Sequence, residues 1–73
     1  MVIEGEIIHV METWPLQVVQ SQQGRYDVSL LEQTRILRGS QQVSASELRP
    51  GTNVEILGEG EGMALRAQTV RIK

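Results

Sequence analysis

Seventy-three residues allow one domain, and nine acidic against seven basic residues give a net charge of −2, with no global pull toward nucleic acid or an anionic membrane. No cysteine is present, so neither a disulfide framework nor a thiolate zinc site supports the core. No apolar run approaches the ~20 residues that a membrane-spanning helix needs, and folding must rest on apolar burial and backbone pairing.

The chain opens with MVIEGEIIHV. It carries acidic residues where a secretory leader would carry basic ones, and it lacks a small-residue cleavage site. It reads as the first strand of a mature protein, with a cytoplasmic location as the expectation. Its β-branched residues and Gly5 argue against a helix. Ile3 and Ile7 share one parity, whereas Ile8 and Val10 share the other, so the apolar face changes near Ile7 and Ile8. A glycine-associated bulge that lets the strand curl accounts for this shift.

Leu16, Val18 and Gln20 read as one face of a second strand, with Pro15 at its start, where proline is tolerated. Residues 21–24 form a hairpin turn ending in Gly24. Tyr26, Val28 and Leu30 then alternate with Arg25, Asp27 and Ser29 as a third strand, and Thr34-Arg35-Ile36 suggests a brief extension. Ser44 or Ser46 caps one turn of helix with Glu47 near its start. Leu48 points inward there and plugs one end of the fold. Pro50-Gly51 stops the turn and aims the chain into a fourth strand through Val54 and Ile56. Gly58, Gly60 and Gly62 read as the next connection. In the fifth strand Leu65 and Ala67 fit one parity and Val70 and Ile72 the other, which predicts a bulge near Gln68.

Five strands with closely spaced turns predict an all-β fold, a small five-stranded OB-like barrel. One short helical turn lies between the third and fourth strands, and residues 1–73 form a single OB-like domain. Closure would remove the edges that a flat sheet exposes.

Gly5-Glu6-Ile7, Thr34-Arg35-Ile36, the run from Leu48 through Gly51, Val54 and Ile56 to Gly58, and Ala67-Gln68-Thr69-Val70-Arg71-Ile72 follow one another over nearly the whole chain. In this order they resemble a widespread family of small bacterial OB-like domains. The resemblance implies a fold; the family has no agreed biochemical activity. Members often sit behind a signal peptide, a feature absent from this sequence.

Candidate chemistry is sparse. His9 is the only histidine, and without a paired carboxylate or cysteine pattern it reads as a strand residue at the rim. The serines have no G-x-S-x-G elbow to activate them. Glu4 and Glu6 read as solvated charges on one strand face. The stretch from Gly58 to Gly62 lacks the lysine and helix of a phosphate loop and carries two glutamates instead. These residues predict no enzyme, no cofactor and no metal.

The expected function is a small binding module that recognises a protein or peptide through a loop surface or an exposed strand edge, as a monomer or weak homodimer. The alternative is single-stranded nucleic acid, stacked on Trp14 and held by Arg25, Arg35, Arg38, Arg66 and Arg71. Tyr26 fits the buried alternation better than a stacking role.

Overall fold

A computed structural model describes residues 1–11, 16–21 and 24–73, with Met11, Leu16 and Gln17 described by their backbone alone. Five long strands carry the fold: β1 (Val2–Met11), β2 (Leu16–Ser21), β3 (Gly24–Arg38), β5 (Asn53–Glu61) and β6 (Ala64–Ile72). The two-residue β4 (Gln41–Gln42) lies between β3 and β5, followed by one 3-10 turn over Ala45–Glu47. The sheet runs β2-β1-β5-β6-β3-β4, and β2 also pairs with β3. That last pairing closes the five long strands into a barrel. All ladders are antiparallel except β3 with β6. This is an OB-like barrel.

β1 serves two neighbours in turn. Residues 2–6 pair with β5, and residues 5–11 pair with β2. Gly5 stands where the two pairings overlap, opposite Ser21 on one side and Val54 on the other. A Cβ at this position would collide with the Gln20 carbonyl and Val19 Cγ1, so only glycine lets β2 approach so closely. The register shift expected near Ile7 and Ile8 is present there, three residues beyond Gly5. Ile7 faces Val19 and His9 faces Val18, leaving Ile8 as the extra residue.

The second shift falls where the parity of β6 predicts it. Leu57 faces Thr69 and Gly58 faces Ala67, so Gln68 is the residue without an opposite number. Leu65, Ala67, Val70 and Ile72 consequently all turn inward. On the other side of β6, β3 skips from Leu30 opposite Ala67 to Arg35 opposite Thr69. Thr34 bridges this excursion: its hydroxyl accepts from the Leu31 N–H at 2.7 Å and donates to the Ala67 carbonyl at 2.7 Å.

Three local expectations are corrected by the pairing. In β2 the buried residue is Val19, fully enclosed, whereas Val18 is half-buried and Gln20 exposed. Adjacent valines satisfy either parity, and the register against Ile7 and Tyr26 decides between them. Gly58 and Gly60 are strand residues rather than a connection. β5 continues to Glu61 and only Gly62-Met63 turn, with Gly62 at φ +59°. Ser44 does precede the 3-10 turn, but its hydroxyl makes no capping bond; it meets the Ser46 hydroxyl at 2.6 Å instead.

Leu48 follows that turn and is 3% exposed, packed in one cluster with Ile3, Ile7, Tyr26, Ile56 and Val70 among others. Burial of a leucine side chain contributes roughly 1.5–3 kcal/mol. The 3-10 turn itself buries nothing; it delivers Leu48 to the interior, and Gly51 (φ +93°) then turns the chain into β5.

Candidate functional site

Because neighbouring strands align their outward side chains into rows, the ladders locate each arginine. Arg25 lies beside Gln20 of β2, with Glu6 of β1 and Asn53 of β5 next in the same row. Arg66 lies between Ser29 and Glu59. Arg35 begins a row that continues through Thr69 and Leu57 to Val2. Arg71 lies between Leu37 and Glu55, and Glu4 ends that row. Arg38 lies at the end of β3, beside Gln41. Two of these guanidinium groups are paired, Arg71 with Glu55 and Arg38 with Glu47, each at 3.9 Å.

Arg35 and Arg71 are diagonal neighbours on adjacent strands, whereas Arg25, Arg38 and Arg66 lie in other rows, so the five do not gather into one groove. Trp14 lies outside the described residues. Tyr26 is 4% exposed and belongs to the core. His9 is an exposed residue of β1. Among the described residues no cluster of three or more histidine, aspartate or glutamate side chains could hold a metal ion. No helix of the described residues is long and apolar enough to cross a membrane.

A different region has the shape of a site. A groove of about 690 Å³ is lined by Val2, Ile3, Glu4, Gly5 and Glu6 in succession, together with Gln20, Ser21, Asn53, Val54 and Lys73. A groove on one face of a strand would touch alternate residues. Five consecutive ones line this groove, with Gln20 and Ser21 of β2 on one side of β1 and Asn53 and Val54 of β5 on the other.

Part of that backbone has no partner strand on its β2 side among the described residues. Met1 C=O accepts from the Gly58 N–H and Ile7 N–H donates to the Thr52 carbonyl, both at 2.9 Å. Bonding direction alternates along an antiparallel strand, so the odd-numbered residues of β1 address β5. Val2, Glu4 and Glu6 point their main-chain groups the other way. Glu6 meets Gln20 of β2, but β2 ends at Ser21, opposite Gly5. Val2 and Glu4 are thus directed past the end of β2 and pair with no other described strand.

Apolar and charged side chains flank this edge. Val2 is 57% exposed and faces Leu57, itself exposed. Glu4 and Glu55 stand directly opposite each other, a like-charge pair that would be unfavourable alone. Cations offset it on two sides, with Arg71 near Glu55 and the Lys73 ammonium 2.8 Å from Glu4. The hydrogen bond from Lys73, and then its charge, hold the Glu4 carboxyl below its ordinary range.

As candidate chemistry the sequence marks only Glu4 and Glu6 among these groove residues; Ile3, Gly5, Gln20 and Val54 read there as strand residues. The hairpin turn read at residues 21–24 tells where β2 stops, but which residue of β1 stands opposite that point is a matter of register that no short motif encodes. Comparison of the chain with protein-family models, curated proteins and solved structures finds no match.

Proposed function

We propose that this barrel is a non-enzymatic binding module that takes an extended peptide or protein segment as an added strand on Val2–Glu4. The support is one observation: five consecutive residues of β1 line a groove, at the place where its main-chain groups point beyond the last residue of β2. Strand addition draws affinity from main-chain hydrogen bonds and selectivity from alternate side chains. The small domain also fits the resemblance to bacterial OB-like domains, and we place it in the cytoplasm as a monomer or weak homodimer.

The test is a library of extended peptides panned against the chain and against Val2→Pro. Proline removes an edge N–H that β5 does not use and is tolerated on edges. Selected peptides should lose about tenfold in affinity, on the order of one main-chain hydrogen bond, with the unfolding midpoint unchanged. Peptides that bind Val2→Pro and Glu4→Pro as well as the parent would sink the reading.

The alternative, single-stranded nucleic acid on Trp14 and the arginines, draws support from the OB-like wall, since such barrels stack bases on their outer strands. The spread of Arg25, Arg38 and Arg66 away from the diagonal neighbours Arg35 and Arg71 favours the peptide. Oligonucleotide affinity that falls steeply with salt, and drops by about 1–3 kcal/mol in Trp14→Ala, would reverse this preference.

A further inference from the structure

The outer faces of β5 and β6 sort charge by strand. Val54, Ile56, Leu65, Ala67 and Val70 are buried, so the residues that alternate with them face outward. On β5 these are Asn53, Glu55, Leu57, Glu59 and Glu61, and every charge among them is negative. On β6 they are Ala64, Arg66, Thr69 and Arg71, followed by Lys73, and every charge is positive. The register sets Glu59 against Arg66, Leu57 against Thr69 and Glu55 against Arg71. These pairs are loosely closed. Arg71 and Glu55 stand 3.9 Å apart with side chains 57% and 34% exposed, and among the described residues Glu59 and Arg66 make no ion pair. Leu57, 43% exposed, occupies the middle of the seam. Beside it lies a shallow hollow of about 170 Å³ lined by Val2, Glu55, Leu57, Thr69 and Arg71.

Both flanks of the seam are mixed in sign. β1, beyond β5, carries Glu4 and Glu6, with Lys73 held on Glu4 and Arg25 at the far end of the Glu6 row. β3, beyond β6, carries Asp27, Glu32, Arg35 and Arg38, the last paired with Glu47. From this pattern we infer that the partner of the β5–β6 face is a second copy of the chain. A face that is acidic along one strand and basic along the next is complemented by the same face turned about a two-fold axis along the seam. Such an axis keeps each residue's height along the strands and exchanges the two columns. Arg71 of each copy then faces Glu55 of the other, and Arg66 faces Glu59. Leu57 of each copy covers Thr69 of the other, and the two leucines meet side by side over the hollow. Nine residues of strand span about 30 Å, so the contact belongs to the small class, under about 1,200 Å² in total, and the dimer is weak. The inference gives a surface to the weak homodimer named under the proposed function and does not depend on strand addition at Val2–Glu4.

Two charge-reversed variants test it. Glu55→Arg with Glu59→Arg makes both opposed pairs basic, and Arg66→Glu with Arg71→Glu makes both acidic. In sedimentation velocity each alone should stay monomeric. Their mixture should form a heterodimer about tenfold tighter than the parent homodimer, because every contact across the seam, direct or diagonal, then joins opposite charges. High salt should weaken it. Arg25→Glu with Arg35→Glu carries the same net charge as the acidic variant but on β3, and should not pair with the basic one. Leu57→Lys, at an exposed position, should dissolve the parent dimer while circular dichroism stays unchanged, and this arm decides alone where a charge-reversed variant fails to fold. A parent chain that is monomeric at millimolar concentration, a dimer that survives Leu57→Lys, or a mixture no tighter than the β3 control overturns the inference. A dimer dissolved by Val2→Pro but not by Leu57→Lys moves the contact to β1 and also overturns it. Peptide binding is read separately, through its loss in Val2→Pro, so either proposal can fail without the other.

Discussion

Two strand ends in this barrel are paired on one side only among the described residues, and they are dressed differently. The last residues of β5, Glu59, Gly60 and Glu61, pair with β6 alone. The first residues of β1, Val2, Ile3 and Glu4, pair with β5 alone. The β5 end presents two carboxylates and a glycine, which is how natural sheets discourage further pairing. The β1 end presents Val2, a core isoleucine and a single carboxylate already engaged by Lys73, and it opens on a groove. Under the proposed strand addition, equal backbone availability does not mean equal readiness to bind: side-chain charge and shape separate a protected edge from a receptive one.

Leu48 bears on both ends, because each depends on the barrel it fills. Leu48→Ala should cost about 3 kcal/mol, the usual loss for an enclosed leucine, and raise amide exchange at both ends together. Urea unfolding measures the first and hydrogen exchange the second. A loss below ~1 kcal/mol would mean that the barrel does not need its stopper.

Gly5 and Gly60 sharpen the comparison at the next level. A Cβ at either would run into a carbonyl of the neighbouring strand, that of Gln20 or Ala64. Gly5 sits where β1 changes partners, so Gly5→Ala should cost about 2 kcal/mol by overpacking and loosen β2 from β1. Gly60→Ala strains only the end of a hairpin and should cost less. The reverse order in thermal or urea unfolding would contradict the role given to Gly5.

Val2→Lys makes the β1 end resemble a protected edge. Peptide binding should disappear, while stability stays within about 0.5 kcal/mol, as at most exposed positions. Retained binding would mean that apolar character at the edge is irrelevant.

The smallest effect concerns Glu4. Its folded pKa lies below the ordinary 4.5 because of Lys73. A depressed carboxylate contributes stability that is present above the unfolded pKa and lost as pH falls through the folded value. Acidification from 4.5 downward should therefore remove this contribution, and Lys73→Ala should restore the ordinary titration in a carbon-detected NMR experiment. A Glu4 titration unmoved by Lys73→Ala would break the ion pair assigned to this edge.

Much of the wall was legible from local pattern. Tyr26 and Val28 alternate with polar neighbours and lie inside. The parity change between Ala67 and Val70 announced the bulge at Gln68, and Leu48 before Pro50-Gly51 announced the inward plug. The second strand was not legible in this way, because Val18 and Val19 fit opposite faces equally well. The expected binding arginines illustrate the same limit. Each was readable as an outward residue of its strand, but whether Arg25 and Arg71 share a patch depends on which strands lie between them.

The amino-acid order alone determined that this chain would form strands, where two of them must slip register, and which leucine would close the barrel. These follow from residues a few positions apart, whose alternation and turn preferences act locally. Only the tertiary structure decided which residues of β1 pair with β2 and which run past Ser21 beside a groove. That outcome is a register between two strands, set by contacts between residues distant in sequence, and no single segment contains it.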